Sequence, residues 1–401
     1  MNSNSWAVVL GCDVNGLGII RSLGEKNIPI IALDHNPYAI GFHSKFVSES
    51  LVCPHPVDSK YDLAELLMDI GKRFNGSKVI FPTKDSYVAA IARSRNKLEP
   101  YYKIPFSRWN VLEYLVDKEK QYKKAAEHGI SLPETFYPEN EKDIEILLKS
   151  IEFPLILKPA YSEAFYVRYG IKAVKCTSGN DLKEQFARYS ADGFRMIVQE
   201  FIEGDASHLY EFQSYVNSRG KVTAIFIAEK IKQYPTEIGT GTHFLSVKEP
   251  RLIKTGLQIL ETFDYQGISF IEFKLDQRDG RYKLIEINPR TTHSNSLASE
   301  CGVNIPHAAY RDALGEYEGR DMQSYTVGKE WLWPENGFWE RKCFTIYIKN
   351  MFSRKNYTYA IFSLRDPLPE VSFFCDALRQ CIKGFLEKSM RPVNYPEQWE
   401  R

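Results

Sequence analysis

Residues 270–290 read F-I-E-F-K-L-D-Q-R-D-G-R-Y-K-L-I-E-I-N-P-R, two apolar runs around an Asp-Gly pair, which predicts a β-hairpin. Glu272 lies in the first run, and Glu286 and Asn288 lie two positions apart in the second. Because residues two apart on a strand point to the same side, Glu286 and Asn288 share a face that Glu272 can join across the hairpin. Mg²⁺ takes carboxylate and amide oxygens as ligands, so the pattern predicts a metal site. The alternative interpretation is a surface hairpin with its acids in solvent.

Length and composition favour a soluble globular protein of two or three domains. The chain has 401 residues, of which 43% are hydrophobic and 26% charged, and its formal net charge of +1 gives no reason to propose nucleic acid as a partner. No apolar run reaches the length of a membrane span, and we see no signal-peptide core at the N-terminus. The seven scattered cysteines contain no C-x-x-C pair, which predicts free thiols in a reducing, cytoplasmic compartment.

The first hundred residues predict a doubly wound α/β unit. A strand W-A-V-V-L-G leads into a turn with glycines at 11, 16 and 18 and a helix to about Lys26. The run I-P-I-I-A-L-D predicts a second strand that ends at Asp34, and K-V-I-F-P-T-K-D predicts another strand before a helix at about 85–98. Strands alternating with helices favour a parallel sheet.

The middle of the chain predicts a smaller α+β module followed by a strand-rich region. A helix begins at Lys118, and the strand F-P-L-I-L-K-P ends at Lys158 and Pro159. An exposed, glycine-poor turn is predicted at 161–170, and residues 208–290 predict mostly strands. Lysine ammonium groups suit phosphate, although a single lysine is more often a solvated surface group.

The acid followed by E-x-N-P-R on the next strand resembles the metal-binding hairpin of the ATP-grasp ligases. Lys118 at a helix start and Lys158 at a strand end resemble the two lysines that hold the α- and β-phosphates of ATP in that family. The motif K-x-x-Q-x-P, which begins at Lys230 and precedes a Gly/Thr loop, resembles the branch of D-aspartate ligases and carbamoyl-phosphate-synthase-like proteins. The resemblance extends from about Val8 to Gly315.

This resemblance implies an α/β and α+β protein with an ATP-grasp fold. It implies an N-terminal Rossmann-like (pre-ATP-grasp) domain at 1–106 and an ATP-grasp domain at 107–320. Within the latter, it implies a lid at about 125–200 and a catalytic body at 201–320. A C-terminal accessory region follows at 321–401.

The resemblance also implies roles for individual residues. Lys118 and Lys158 are expected to bind phosphate, and main-chain groups of Glu200 and Ile202 to contact adenine. Asp205 is the candidate for the ribose contact. The remaining assignments are the metal for Glu272, Glu286 and Asn288, phosphoryl transfer for Lys230 and Arg290, and the second substrate for Asn15, Asp85 and His293. Because the 161–170 turn is poor in glycine, Ser162 and Arg168 are the candidates to hold the γ-phosphate in place of a glycine-rich loop.

The implied reaction is the ATP-dependent coupling of a small-molecule carboxylate to an amine through an acylphosphate, with Mg²⁺ or Mn²⁺. One alternative is an NAD-dependent oxidoreductase on the N-terminal fold, although the glycine spacing lacks G-x-G-x-x-G. Another is a catalytically silent nucleotide-binding regulator, against which the intact hairpin residues argue. A homo-oligomer stays open as an interpretation.

The C-terminal segment carries no chemical motif. Its aromatic cluster contains Trp331, Trp333 and Trp339, and a predicted helix carries Val371, Phe374, Leu378, Cys381 and Phe385 at helical spacing. We expect this apolar stripe to pack on the body, as in most amphipathic helices of globular proteins. The alternative is contact with a membrane or a lipid-linked substrate, because basic residues lie beside the stripe.

Overall fold

The computed structural model describes residues 5–55, 62–316, 324–336 and 357–389, with side chains described to residue 379 in the last range. The N-terminal part is a four-stranded parallel sheet of order β3-β2-β1-β4. Its strands are β1 (Ser5–Leu10), β2 (Ile30–Asp34), β3 (Val47–Val52) and β4 (Ser77–Pro82), and its helices are α1 (Val14–Gly24), α2 (Leu63–Arg73), α3 (Asp85–Arg93) and α4 (Arg95–Leu98). A short 3₁₀ helix spans Ile40–His43. The predicted α/β unit is confirmed, except that the helix expected at 85–98 is interrupted at Ser94.

Two helices lead from this sheet to a second, antiparallel one. They are α5 (Trp109–Val116) and α6 (Lys118–Glu127), and the sheet has the order β5-β8-β6-β7. Its strands are β5 (Thr135–Phe136), β6 (Leu155–Pro159), β7 (Val174–Cys176) and β8 (Met196–Glu200), with helices α7 (Glu141–Leu147), α8 (Ser162–Tyr169) and α9 (Gly179–Ala191). Side chains from all three helices form one core with the sheet.

The segment predicted as an exposed turn at 161–170 is helix α8, so that prediction was wrong. Gly170 ends the helix in the left-handed conformation, with φ of 71°, which is a common helix C-terminus. Phe165 is fully buried in the core of the second sheet, which fixes the helix on its inner side. The sequence between Pro159 and Gly170 contains no helix breaker, so local propensity allows this outcome.

Among the described residues, the largest sheet has seven strands in the order β13-β12-β9-β10-β11-β14-β15. The strands are β9 (Leu209–Val216), β10 (Val222–Tyr234), β11 (Thr240–Ser246), β12 (Gly267–Asp276), β13 (Arg281–Asn288), β14 (Glu330–Leu332) and β15 (Tyr357–Tyr359). A 3₁₀ helix (Ala206–His208) and helices α10 (Pro250–Thr262), α11 (Asn295–Glu300) and α12 (Ile305–Ala313) accompany the sheet. One large core joins its strands to helices of the N-terminal part.

The described C-terminal residues are part of this body. Strands β14 and β15 extend the seven-stranded sheet, and Trp331 is fully buried within it. Helix α13 (Leu368–Ser389) packs near the 3₁₀ helix at Ile40–His43. Its anchor is Asp366, which is 1% exposed and accepts a 2.9 Å hydrogen bond from Arg21 Nε.

The apolar stripe predicted to pack on the body is only partly buried where it is described, with Phe374 half-buried. Val371 and Leu378 are 54% and 62% exposed, whereas Phe373 packs against the core. Trp339 and the side chains of Cys381 and Phe385 lie outside the described residues. None of the helices in the described ranges is both long enough and apolar enough to cross a bilayer. The cysteines whose side chains are described are free thiols, as predicted.

Candidate active site

The hairpin at 270–290 forms as predicted, from β12 and β13. Its register pairs Glu272 with Glu286 and Phe270 with Asn288, and Gly280 in the turn has φ of 70°. Paired residues of antiparallel strands project on the same side, so Glu272, Glu286 and Asn288 share one face. The three predicted oxygen ligands are therefore neighbours.

Glu211 on β9 adds a carboxylate that no sequence motif indicated. It pairs with Glu272 in the register of β9 and β12 and is 3% exposed. Its Oε1 accepts a hydrogen bond from Thr292 at 3.1 Å, and its Oε2 accepts one from Ser294 at 2.7 Å. Burial raises the pKa of Glu211, against the hydrogen bond from Ser294. Glu211 thus holds Thr292 and Ser294, the residues on either side of His293, through these two hydrogen bonds.

Each predicted metal ligand is bound to a cationic side chain. Lys118 Nζ donates to Glu286, Lys230 Nζ lies 3.1 Å from Glu272 Oε1, and Arg290 donates to Asn288 Oδ1 at 3.0 Å. Burial opposes the charge of Glu286, but the nearby cations, Lys118 first, outweigh it and lower its pKa to about 2. Glu286 is therefore ionised and paired with Lys118, and Glu272 is paired with Lys230.

Helix α6 is fixed so that Lys118 faces the hairpin. Asp117 caps the helix by accepting from the backbone N–H of Glu119 at 3.0 Å, and the N–H of Lys118 donates to the carbonyl of Ala160. The Gln121 side chain donates to the carbonyl of Ile287 and accepts from its N–H. These bonds tie the start of α6 to the residue that follows β6 and to β13.

Lys158, at the end of β6, faces Lys118, Glu286 and Glu272, and the space between these side chains is called the cleft below. Its Nζ donates to Tyr122 Oη and to Gln199 Oε1, both at 2.6 Å, and Tyr122 donates in turn to the carbonyl of Ile285. Burial and the neighbouring charge of Lys118 lower the pKa of Lys158 to about 7, although Glu286 opposes this shift. Tyr122 and Gln199 were not foreseen, because only the fold brings them to Lys158.

The residues predicted to contact adenine and ribose lie at the exit of β8. Glu200 ends this strand, its side chain pairs with Arg278, and its N–H donates to the carbonyl of Glu134. Ile202 is 6% exposed. The Asp205 carboxylate is exposed and accepts from the N–H of Ser207 at 3.0 Å.

Asn15, predicted to contact the second substrate, is instead an internal brace. It is 1% exposed, and its amide group donates to the carbonyls of Thr83 and Thr291. Its Oδ1 accepts hydrogen bonds from Thr291 Oγ1 at 2.6 Å and from Asn295 at 2.9 Å. With its donors and acceptor used in this way, Asn15 has no group left for a substrate.

Asp85 and His293, the other two substrate candidates, are close to Arg290. Asp85 Oδ1 accepts from Arg290 Nε at 2.7 Å. His293 stacks on Trp333, with ring centroids 5.2 Å apart. Burial lowers the pKa of His293 to about 4, so its ring is neutral near pH 7. Trp333 comes from the segment predicted to be accessory, and its place beside His293 was not foreseen.

The second sheet and its helices make contacts across the cleft on two sides. The Glu163 carboxylate on α8 accepts hydrogen bonds from the N–H and hydroxyl of Ser86 at 2.9 and 2.7 Å. On the other side, Lys172 donates to Thr240 at 2.8 Å and Lys175 to Glu237 at 2.7 Å. The cleft is thus bridged by the N-terminal part and by the β10–β11 hairpin.

Comparison with known proteins supports the resemblance. The family described as carbamoyl-phosphate synthase L chain, ATP binding domain, matches residues 239–318. A D-aspartate ligase of Enterococcus faecium is 26% identical over 329 residues, covering 78% of this chain and 77% of that protein. The carbamoyl phosphate synthase large chain of Myxococcus xanthus is 23% identical over 326 residues, which cover 76% of this chain but only 28% of that longer protein.

A solved structure shares the fold. The N5-carboxyaminoimidazole synthetase of Staphylococcus aureus, solved in complex with ADP, superposes with a TM-score of 0.66 at 14% identity, covering 88% of this chain and 90% of that one. The fold class inferred from the hairpin and the two lysines is confirmed. This chain has the ATP-grasp fold, and its sequence is similar to those of D-aspartate ligase and of the carbamoyl phosphate synthase large chain.

Proposed function

We propose that this protein uses ATP to phosphorylate a substrate carboxylate and then couples the acyl group to an amine. The observation that carries the proposal is one cleft in which Lys118, Lys158, Lys230 and Arg290 surround the carboxylates of Glu272 and Glu286. Cations and oxygen ligands in one cleft suit a metal-bound nucleotide triphosphate. Domain limits near 106 and 320 remain part of the proposal.

The oxygen donors fit Mg²⁺, and Mn²⁺ takes the same kind of ligand. Two carboxylates stand beside Asn288, whose buried amide nitrogen has no hydrogen-bond partner in the described part of the chain. Glu272, Glu286 and Asn288 would hold the metal. When bound, it would neutralise charge on the β- and γ-phosphates.

The protein groups have distinct tasks in this proposal. Lys118 and Lys158 bind the nucleotide phosphates, and the β8 exit at Glu200 and Ile202, with Asp205, holds the nucleoside. A carboxylate oxygen of the substrate attacks the γ-phosphorus as its bond to the bridging oxygen of ADP breaks. Lys230 and Arg290 stabilise negative charge on the transferring group.

The second half-reaction forms the C–N bond. The amine nitrogen attacks the acyl carbon, the bond from that carbon to the phosphate oxygen breaks, and phosphate leaves as the nitrogen loses a proton. Asp85 orients Arg290, and neutral His293 with Trp333 forms a wall of the substrate pocket. Aspartate is the first carboxylate to test, because D-aspartate ligase is a relative.

The oxidoreductase alternative finds no support at the N-terminal sheet. Asp34, which would bind the ribose of a dinucleotide, instead accepts hydrogen bonds from the N–H groups of Cys12 and Asn36. These bonds hold the turn after β1. The silent-regulator alternative differs from the ligase only in turnover, so activity decides between them.

The test is ADP release with MgATP and a panel of amino acids and small acids, alone and in pairs with amines. Hydroxylamine added to the active carboxylate traps an acylphosphate as a hydroxamate. We expect release that depends on one carboxylate and is lost in Glu286→Ala. Failure of the protein to bind MgATP in a calorimetric titration would reject the proposal. Binding of MgATP without turnover on any pair would favour the regulator.

A further inference from the structure

The sequence offers Ser162 and Arg168 as γ-phosphate ligands in place of a glycine-rich loop, and the structure changes these candidates. Most of the 161–170 segment forms helix α8 rather than an open loop, so it offers no run of free glycine N–H groups. Arg168 lies 3.5 Å from Asp192 and is 63% exposed. Arg168 therefore pairs with Asp192, the residue that directly follows helix α9.

Lys172, two residues after the helix, is held differently. Its Nζ donates to Thr240 Oγ1 at 2.8 Å, across the cleft at the start of β11. Within the described ranges, no carboxylate lies at ion-pair distance from Lys172. By contrast, Lys118 and Lys230 each contact a glutamate and Arg290 contacts Asp85.

The charged groups around Lys172 are residues assigned to the metal and to phosphoryl transfer, namely Lys230, Glu272, Glu286 and Arg290. Lys172 is exposed at the surface, and partial desolvation of its ammonium group, followed by repulsion from Lys230, lowers its pKa, whereas Glu272 and Glu286 act in the opposite direction. Its charge also contributes to lowering the pKa of His293. An ammonium group with only a hydroxyl partner, close to other cations, is a position that an incoming anion would stabilise.

We propose that Lys172 is a third phosphate ligand, which exchanges its hydrogen bond with Thr240 for one to the terminal phosphate of the nucleotide. This proposal rests on the proposed function. The terminal phosphate is favoured because the electrostatic neighbours of Lys172 are Lys230, Arg290 and His293, at the end of the cleft assigned to transfer. Lys172 would then do from a side chain what a glycine-rich loop does with backbone N–H groups.

The alternative role for Lys172 is a tether between the second sheet and the β10–β11 hairpin. Lys175 offers a matched control, because it makes a similar bridge to Glu237 at 2.7 Å from β7. A tether would be weakened equally by Lys172→Ala and Lys175→Ala. If Lys172 instead binds the terminal phosphate, only Lys172→Ala should remove that phosphate contact, and Lys175→Ala should leave it intact.

The experiment is a calorimetric titration of each variant with Mg²⁺ plus either ADP or a non-hydrolysable ATP analogue. For Lys172→Ala we expect the affinity for the ATP analogue to fall about tenfold or more, because one charge-assisted hydrogen bond is lost, while ADP affinity changes by less than about twofold. Lys172→Arg should keep most of the analogue affinity, and Lys175→Ala should leave both affinities within about twofold. Thermal unfolding checks that each variant is folded.

Three results would overturn the role of Lys172. They are unchanged analogue affinity in Lys172→Ala, equal losses for ADP and the analogue, and the same loss in Lys175→Ala. In each case the wild-type protein still binds MgATP, so the proposed function stands. If the wild-type protein binds neither nucleotide, the proposed function fails first.

Discussion

Raising the pH should weaken nucleotide binding through Lys158. In the free protein, burial and Lys118 lower the pKa of Lys158 to about 7, so its ammonium group is largely deprotonated above neutrality. Phosphate oxygens at the same position favour the charged form and return the pKa towards its ordinary value. Binding above pH 7 therefore requires Lys158 to take up a proton, and this becomes harder as the pH rises.

The size of the effect follows from the two pKa values. With about 7 in the free protein and about 10.4 in the complex, nearly 0.9 proton is taken up per nucleotide at about pH 8. The same values give a fall in affinity of about fiftyfold between about pH 7 and pH 9, equivalent to about 2.3 kcal/mol. Below pH 6 the lysine is already protonated, so the dependence should level off.

The assay is calorimetric titration with MgADP in buffers of different ionisation enthalpy, which reports the protons taken up directly. Lys158→Arg is the matched variant, because its guanidinium stays charged throughout the range. We expect Lys158→Arg to bind MgADP without this proton uptake. Any change of affinity with pH that the variant retains belongs to other groups. Uptake by the wild-type protein below about 0.2 proton at pH 8, or the same slope in both proteins, would refute the reasoning.

Three other substitutions test individual contacts. Glu286→Ala should lower kcat by about 10²–10³-fold or more in the ADP-release assay while the far-ultraviolet circular dichroism stays native, since it removes an oxygen ligand and the partner of Lys118. Asn15→Ala should lower the free energy of unfolding in urea by about 2–4 kcal/mol, because it leaves buried carbonyls unpaired; a raised KM with unchanged stability would instead return Asn15 to the substrate site. Arg21→Ala should cost about 3 kcal/mol and speed hydrogen exchange at 357–366, because buried Asp366 loses its cation. The exposed Arg365, 3.5 Å from Glu25, is its control, and Arg365→Ala should cost less than about 0.5 kcal/mol.

The parts of the fold that were predictable are those written in local patterns. The hairpin shows period-two alternation around Asp-Gly, and α6 begins at an Asp cap, so both could be located from the sequence alone. Helix α8 could have been predicted too, because Gly170 marks its end and no breaker precedes it. The prediction was wrong because the lack of glycine in residues 161–169 was interpreted only as the loss of a glycine-rich loop, and not as a sign of a helix.

The missed residues of the site depend on long-range register. Glu211 is one acid in an apolar strand, and nothing local distinguishes it from an acid on a wet face. Trp333 reaches His293 because β14 pairs with β11 in the largest sheet. No local sequence pattern predicts this pairing. The opposite error occurred at Asn15, where a polar residue in a glycine-containing turn was taken for a substrate contact although the fold buries it.

The pairing within the cleft explains how so many buried charges can be tolerated before any ligand binds. An isolated buried charge is costly, but Lys118 with Glu286 and Lys230 with Glu272 neutralise one another. On the proposed function, phosphate and metal would enter by exchange: Lys118 and Lys230 would move from carboxylate to phosphate, which would free the carboxylate oxygens for the metal. Neither exchange is favourable alone, because each would leave one partner of a pair buried without a counter-charge. The nucleotide and its metal are therefore expected to bind as one unit. Because the described residues hold no carboxylate at ion-pair distance from Lys172, that lysine can turn to the terminal phosphate without breaking an ion pair.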